Sequence, residues 1–126
     1  MTRVMASEDC GNSPKNIFVQ DLTIALAKGD SKFILENVTE DVCWSLLGDQ
    51  HIQGKENLGK ALKQARNDKV TELVIQHVAT HGKTGAVNGI RKSADRKTVG
   101  FCDVYEFGNT KGTLVKEITS YRIEIS

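Results

Sequence analysis

The chain has 126 residues, 39% apolar and 26% charged, with 17 Lys and Arg against 16 Asp and Glu, a formal charge of +1. That length is enough for one domain with a core of its own, and no apolar run approaches the roughly 20 residues of a membrane helix. A near-neutral balance without a basic stripe removes nucleic acid from the expected partners.

Residues 1–13, ending in Gly11, Asn12 and Ser13, are polar and turn-forming and read as a frayed terminus outside a single domain spanning residues 14–126. They lack the apolar centre of an export signal, so a cytoplasmic location is expected. Cys10, Cys43 and Cys102 show no CxxC or Cys/His ligand spacing and are odd in number, which argues against both a disulfide framework and a metal site. Cys43 and Cys102 fall within apolar strand-like runs, where a thiol is ordinarily a small core hydrophobe.

Ser13 is placed to cap a helix with Pro14 at its first position, and Ile17, Phe18, Leu22, Ala25 and Leu26 recur at helical spacing up to a stop at Gly29. Asp30 caps a second, short helix with Phe33, Ile34 and Val38 as its apolar face, and Thr39–Leu47 reads as a strand. Gly54 marks a loop, and the third helix, from Lys55 to Arg66, sets Leu58, Ala61, Leu62 and Ala65 against lysines.

From residue 70 the period changes to two. Strands are predicted over Val70–His81, Thr84–Lys92, Thr98–Phe107 and Thr113–Ile125, joined as three successive hairpins. Helices followed by an antiparallel meander specify an α+β fold and exclude a Rossmann-type order. Gly85, Gly89 and Gly100 interrupt the strand pattern as glycines at bulges or bends do.

A two-residue turn at Gly82-Lys83 pairs His81 with Thr84. That register puts Val74, Gln76 and Val78 on one face with Val87 and Gly89, and with Asp103 if Ser93 pairs with Lys97. Leu73, Ile75, His77, Ala79 and His81 then lie on the outer face, and a one-residue bulge would exchange the two faces. Asp103 shares a strand face with Val99, Phe101, Tyr105 and Phe107, where an ionised carboxylate is costly. It is the leading candidate for proton transfer or oxyanion stabilisation, the alternative being an inward polar group satisfied by a hydroxyl or a buried water. Trp44 shares a face with Leu46, and Tyr121 with Thr119. No GxSxG, phosphate-loop or HExxH motif occurs, so no cofactor or metal is expected.

Three patterns in order, Ala27-Lys28-Gly29-Asp30, Gly54-Lys55-Glu56-Asn57-Leu58, and Cys102-Asp103-Val104-Tyr105-Glu106-Phe107 followed by a turn at Gly112, resemble the nuclear transport factor 2-like superfamily over residues 14 to 125. That superfamily includes ketosteroid isomerases, SnoaL-like polyketide cyclases, scytalone dehydratases and limonene epoxide hydrolases. The resemblance implies a cone-shaped, curved antiparallel sheet wrapped around three N-terminal helices. Ketosteroid isomerases use a carboxylate base, a tyrosine and a protonated acid in an apolar pocket. Their tyrosine position falls on Leu22 and their base on Leu46, while the acid falls on Asp103. Steroid isomerase chemistry is thus not expected. Nor is the epoxide hydrolase set of two aspartates and an arginine, since Arg91 alone does not complete it, and a dehydratase pair would need His77 turned inward.

The family pattern turns Leu22, Trp44, Leu46, Gln76, Phe101, Tyr105, Thr119 and Tyr121 towards the cone as candidate pocket walls around Asp103, with Glu117 also inward but without a role. Two readings remain: an isomerase- or cyclase-like enzyme acting through Asp103 on a carbonyl or hydroxyl compound, and a non-catalytic scaffold domain that fills its own cavity or binds a small apolar ligand. In either case the resemblance implies a homodimer through the outer sheet face, which carries Cys102 and Val104 with the residues named above.

Overall fold

The computed structural model describes residues 2–6, 13–65, 70–108 and 114–125. Cys10, Gly11, Asn12, Arg66, Gly112, Thr113 and the side chain of Ala65, all used in the sequence argument, lie outside the described residues. The elements are β1 (Arg3–Ala6), α1 (Pro14–Lys28), α2 (Ser31–Glu36), β2 (Val38–Leu46), β3 (Gln50–Gln53), α3 (Lys55–Ala65), β4 (Val70–His81), β5 (Thr84–Ser93), β6 (Thr98–Phe107) and β7 (Val115–Glu124). They form an α+β fold with one curved, unclosed seven-stranded sheet in the order β1-β4-β5-β6-β7-β2-β3.

The helix boundaries follow their caps. Ser13 accepts the Asn16 amide at 3.0 Å, and Gly29, at φ 72°, ends α1 in the left-handed region that favours glycine. Asp30 then accepts the Phe33 amide at 3.2 Å and starts α2. α1 packs on β4 and β5, α3 on β2 and β3, and α2 bridges the two helices. Leu22 and Val19 from α1, Ile34 from α2, and Leu58 and Leu62 from α3 are buried against the sheet, each large side chain contributing about 1.5–3 kcal/mol by removal from water.

The three hairpins β4-β5, β5-β6 and β6-β7 are antiparallel, with His81 opposite Thr84 as the turn chemistry requires. Two junctions in the sheet are parallel, β1 with β4 and β2 with β7. Part of the expected frayed terminus is therefore a strand: Arg3–Ala6 runs along the edge of β4, and Thr2 Oγ1 donates to the Val70 carbonyl at 2.7 Å. Four residues without alternation leave little trace of a strand in sequence. The same is true of β3, whose one buried residue is Ile52.

Two bulges reset which residues face inward. In β4, Ile75 pairs with Gly89 and His77 with Asn88, so Gln76 is the inserted residue. Leu73 and Ile75 turn into the core, correcting the expectation that they lie outside, while Gln76 and His77 are both exposed. The bulge drives the Val74 carbonyl towards β5, where a Cβ on Gly89 would collide with it. In β7, Glu106 pairs with Glu117 but Phe107 with Val115, which inserts Lys116. Val115 remains inward, and beyond the bulge Ile118 and Ser120 face the core. Thr119, Tyr121 and Glu117 face outward, contrary to the inward facing that the family resemblance implied.

Candidate functional site

Strand β6 builds the site. Phe101, Asp103, Tyr105 and Phe107 alternate inward along it and are all buried, as their period-two spacing predicts. Asp103 is 2% exposed. Directly opposite it stand Val87 on β5 and Ser120 on β7.

Trp44 Nε1, which can only donate, orients Ser120 by bonding to its Oγ at 2.9 Å. The Ser120 side chain stands opposite Asp103 and favours its charged form. Asp103 Oδ1 itself is buried with no hydrogen-bond partner. Arg122 Nη2 lies 3.9 Å from Oδ1, within ion-pair range but too far for a hydrogen bond. Arg122 Nε is also buried and has no hydrogen-bond partner.

Tyr105 is oriented in the same way. Thr23 Oγ1 donates to the Val19 carbonyl at 2.9 Å, which commits its hydrogen. In the 2.9 Å contact between Thr23 Oγ1 and Tyr105 Oη, the tyrosine is therefore the donor. Its phenol hydrogen is spent on α1, and only lone pairs remain to face a ligand.

These surroundings set the charges. Burial pushes the Asp103 carboxyl above its ordinary value of 3.8; the Arg122 charge, the Ser120 hydrogen bond and the Arg91 charge pull the other way without overcoming it. The long Arg122 contact agrees with that outcome, since an ionised carboxylate would be expected to draw the guanidinium into hydrogen-bond range. Burial, followed by the charge of Asp103, holds the Tyr105 phenol well above its ordinary value. On the opposite face of β6, burial and then Asp103 raise the Cys102 thiol.

Of the predicted walls, Leu22, Trp44, Phe101 and Tyr105 belong to the buried apolar core and Leu46 packs against it partly buried, while Asp103 is a buried polar residue on the strand face of Phe101 and Tyr105. The structure does not bring Gln76, Thr119 or Tyr121 to the site: Gln76 is exposed at the β4 bulge, and Tyr121, 46% exposed, lies on the outer face with Thr119. Sequence reasoning missed Ser120, Arg122 and Thr23. Ser120 and Arg122 share the inward parity of Ile118, a signal hidden by the inserted Lys116.

Surface depressions of about 480, 430 and 390 Å³ lie at the β1-β4 edge, beside α2 and α3, and at the β2-β3 turn, and none of these three is lined by Asp103. Among the described residues no three His, Cys, Asp or Glu side chains gather as metal ligands, and no helix is long and apolar enough to cross a membrane.

No protein-family model and no curated protein matches the chain. Solved structures do match. An NTF2-like protein of unknown function from Cytophaga hutchinsonii is 21% identical at a TM-score of 0.67, covering 85% of this chain and 97% of its own. The epoxide hydrolase/cyclase-like enzyme SalBIII, which acts in pyran ring formation in the polyether salinomycin, is 18% identical at 0.70, covering 86% and 90%. An LEH-like epoxide hydrolase of M. tuberculosis is 16% identical at 0.67, covering 83% and 79%. The chain has the nuclear transport factor 2-like fold.

Proposed function

We propose that this nuclear transport factor 2-like domain binds a small, largely apolar molecule over β6 and acts on its carbonyl or hydroxyl oxygen through Asp103, in the manner of an isomerase or cyclase. The observation that carries this reading is Asp103 Oδ1, buried and without a hydrogen-bond partner. An orphaned carboxyl oxygen in an apolar core costs about 1–3 kcal/mol or more, a cost that a ligand or water oxygen in contact with it would remove.

The acid supplies the chemistry. A neutral Asp103 gives its proton to the ligand oxygen while water takes a proton from the carbon next to the carbonyl: the carboxyl O–H and the ligand C–H bonds break, a new O–H bond forms on the ligand, the carbon proton leaves to solvent, and the carboxylate left behind sits beside the Arg122 guanidinium. Tyr105 cannot take the donor role that a tyrosine has in ketosteroid isomerases, because Thr23 holds its hydrogen. The fold likeness to SalBIII, whose activity concerns pyran ring formation, supports cyclisation or oxygen-centred proton transfer as the reaction class.

A panel of small ketones and lactones in deuterated buffer tests the reading through exchange of the protons next to the carbonyl. Wild-type protein should accelerate exchange, and Asp103→Asn should lower that rate about 100-fold or more. Equal rates with and without the protein would remove the catalytic role.

A second reading is favoured by Leu22, wholly buried where the isomerases carry a tyrosine: a scaffold domain whose interior is filled by its own side chains. In both readings the chain is a homodimer, associated through the outer sheet face around Cys102, Val104 and Tyr121.

A further inference from the structure

The outer face of the sheet carries a second group of reactive side chains, on the hairpin of β2 and β3. Val42 and Trp44 are buried in the core, so Cys43 and Ser45 point to the opposite face. Cys43, expected from its apolar run to be a core hydrophobe, is accordingly half-buried there with a free thiol. Antiparallel pairing sets Gln53 directly across from Cys43 and His51 across from Ser45, both on exposed positions of β3.

These side chains are joined. His51 Nδ1 lies 2.9 Å from Ser45 Oγ, and His51 Nε2 lies 3.9 Å from Cys43 Sγ, whose hydrogen rests on Gln53 Oε1 at 2.8 Å. In the tautomer that donates its Nδ1–H to Ser45, the imidazole turns the Nε2 lone pair to the thiol. Nucleophile, base and orienting group then follow in the order that activates a thiol. Rotation about Cβ–Sγ carries the thiol hydrogen from Gln53 towards Nε2, and contacts of this length shorten when a reactant is bound.

A reactant has a place beside the pair. The depression of about 390 Å³ at the β2-β3 turn is lined by Ser45 and His51 with Leu46, Leu47, Asp49 and Gln50. Leu47, 53% exposed, offers an apolar wall, whereas the Asp49 carboxylate disfavours an anion. Cys102 shares the outer face two strands away, but it stands opposite Asn88 and Tyr121 with no imidazole across from it, and burial raises its thiol.

We propose that Cys43 and His51 form a covalent capture site for neutral α,β-unsaturated ketones, separate from Asp103. His51 Nε2 takes the thiol hydrogen and sulfur bonds to the β-carbon. The C=C π pair moves onto the carbonyl oxygen as an enolate, and His51 returns the proton to the α-carbon. The product is a thioether, and atoms and charge balance without a co-reactant. Ser45 is a positioning residue that holds the imidazole.

The test incubates the full-length protein with 2-cyclohexenone and follows adducts at each cysteine by peptide mapping and mass spectrometry. Cys43 should react about tenfold or more faster than Cys102, and His51→Gln should remove that advantage. Ser45→Ala should slow Cys43, and Ser45→Thr, which keeps the hydroxyl, should restore it. Iodoacetamide, which is displaced at carbon and needs no proton returned, should give a smaller ratio of Cys43 to Cys102 reaction. An unmodified Cys43, a rate unchanged in His51→Gln, or equal ratios for the two reagents would each overturn the inference. Should His51→Gln fail to fold, the two ratios in the wild type decide it.

Discussion

At the scale of single residues, Asp103 sets a conflict between folding and function. Burial raises its folded-state pKa above the ordinary 3.8, so the folded protein holds a proton that the unfolded chain has released. Its contribution to stability is fully present below 3.8 and is lost as pH rises through the folded-state value. Asp103→Asn, uncharged at every pH, should therefore gain stability relative to wild type across that window, by up to about 1.4 kcal/mol per pH unit. Urea denaturation of the two proteins from pH 4 upward checks this, and parallel stability curves would mean that Asp103 is not held neutral. Asp103 was legible in sequence because the apolar residues flanking it alternate without interruption from Val99 to Phe107. Ser120 and Arg122, which complete the site, lie on a strand whose alternation is broken.

At the scale of elements, each strand whose facing was misread carries an inserted residue at the point where the facing changes. Gln76 in β4 and Lys116 in β7 each shift the inward set by one position. A period-two pattern anchored at one end of such a strand gives the wrong face at the other. Anchored on His81, it sent Leu73 and Ile75 outward; on β7, the family pattern carried past the inserted Lys116 brought Thr119 and Tyr121 inward. The helices suffered no such slip, because Ser13, Gly29 and Asp30 are local caps whose effect does not depend on a distant partner. Gly89 is the residue that makes the β4 bulge possible. Gly89→Ala should destabilise the fold by more than about 3 kcal/mol, since the obstruction is the Val74 backbone carbonyl rather than a flexible side chain. Gly100→Ala, where the nearest atom is the Ile123 carbonyl at 3.9 Å, should be neutral or stabilising by about 0.5–1 kcal/mol. Thermal melts of the two variants compare them directly, and equal losses would show that the bulge does not require glycine.

At the scale of the whole molecule, the order of elements carried the fold, while the sheet edges did not show in the sequence. β1 and β3 are four-residue strands whose pairing is decided by exposed edges of β4 and β2 rather than by their own composition. The outer face of β7 presents Tyr121 and Ile123, 46% and 69% exposed, beside Cys102 on β6. An apolar patch of this kind is ordinarily covered. Sedimentation equilibrium at micromolar concentration should give a dimer for the wild type and a monomer for Tyr121→Glu, and a monomeric wild type would contradict association through this face. Because the face lies opposite the Asp103 side of the sheet, Tyr121→Glu should leave the proton exchange of small ketones unchanged.

Burial in the core should keep Asp103 uncharged beyond the pH at which an ordinary aspartate ionises. Carbon-13 NMR titration of its side-chain carboxyl in the ligand-free protein reads this out. The midpoint should lie above 3.8, accompanied by a shift of the Trp44 indole N–H signal as Ser120 responds to the new charge. A midpoint at or below 3.8 would mean that Asp103 is an ordinary carboxylate paired with Arg122, and the acid chemistry assigned to it would fall.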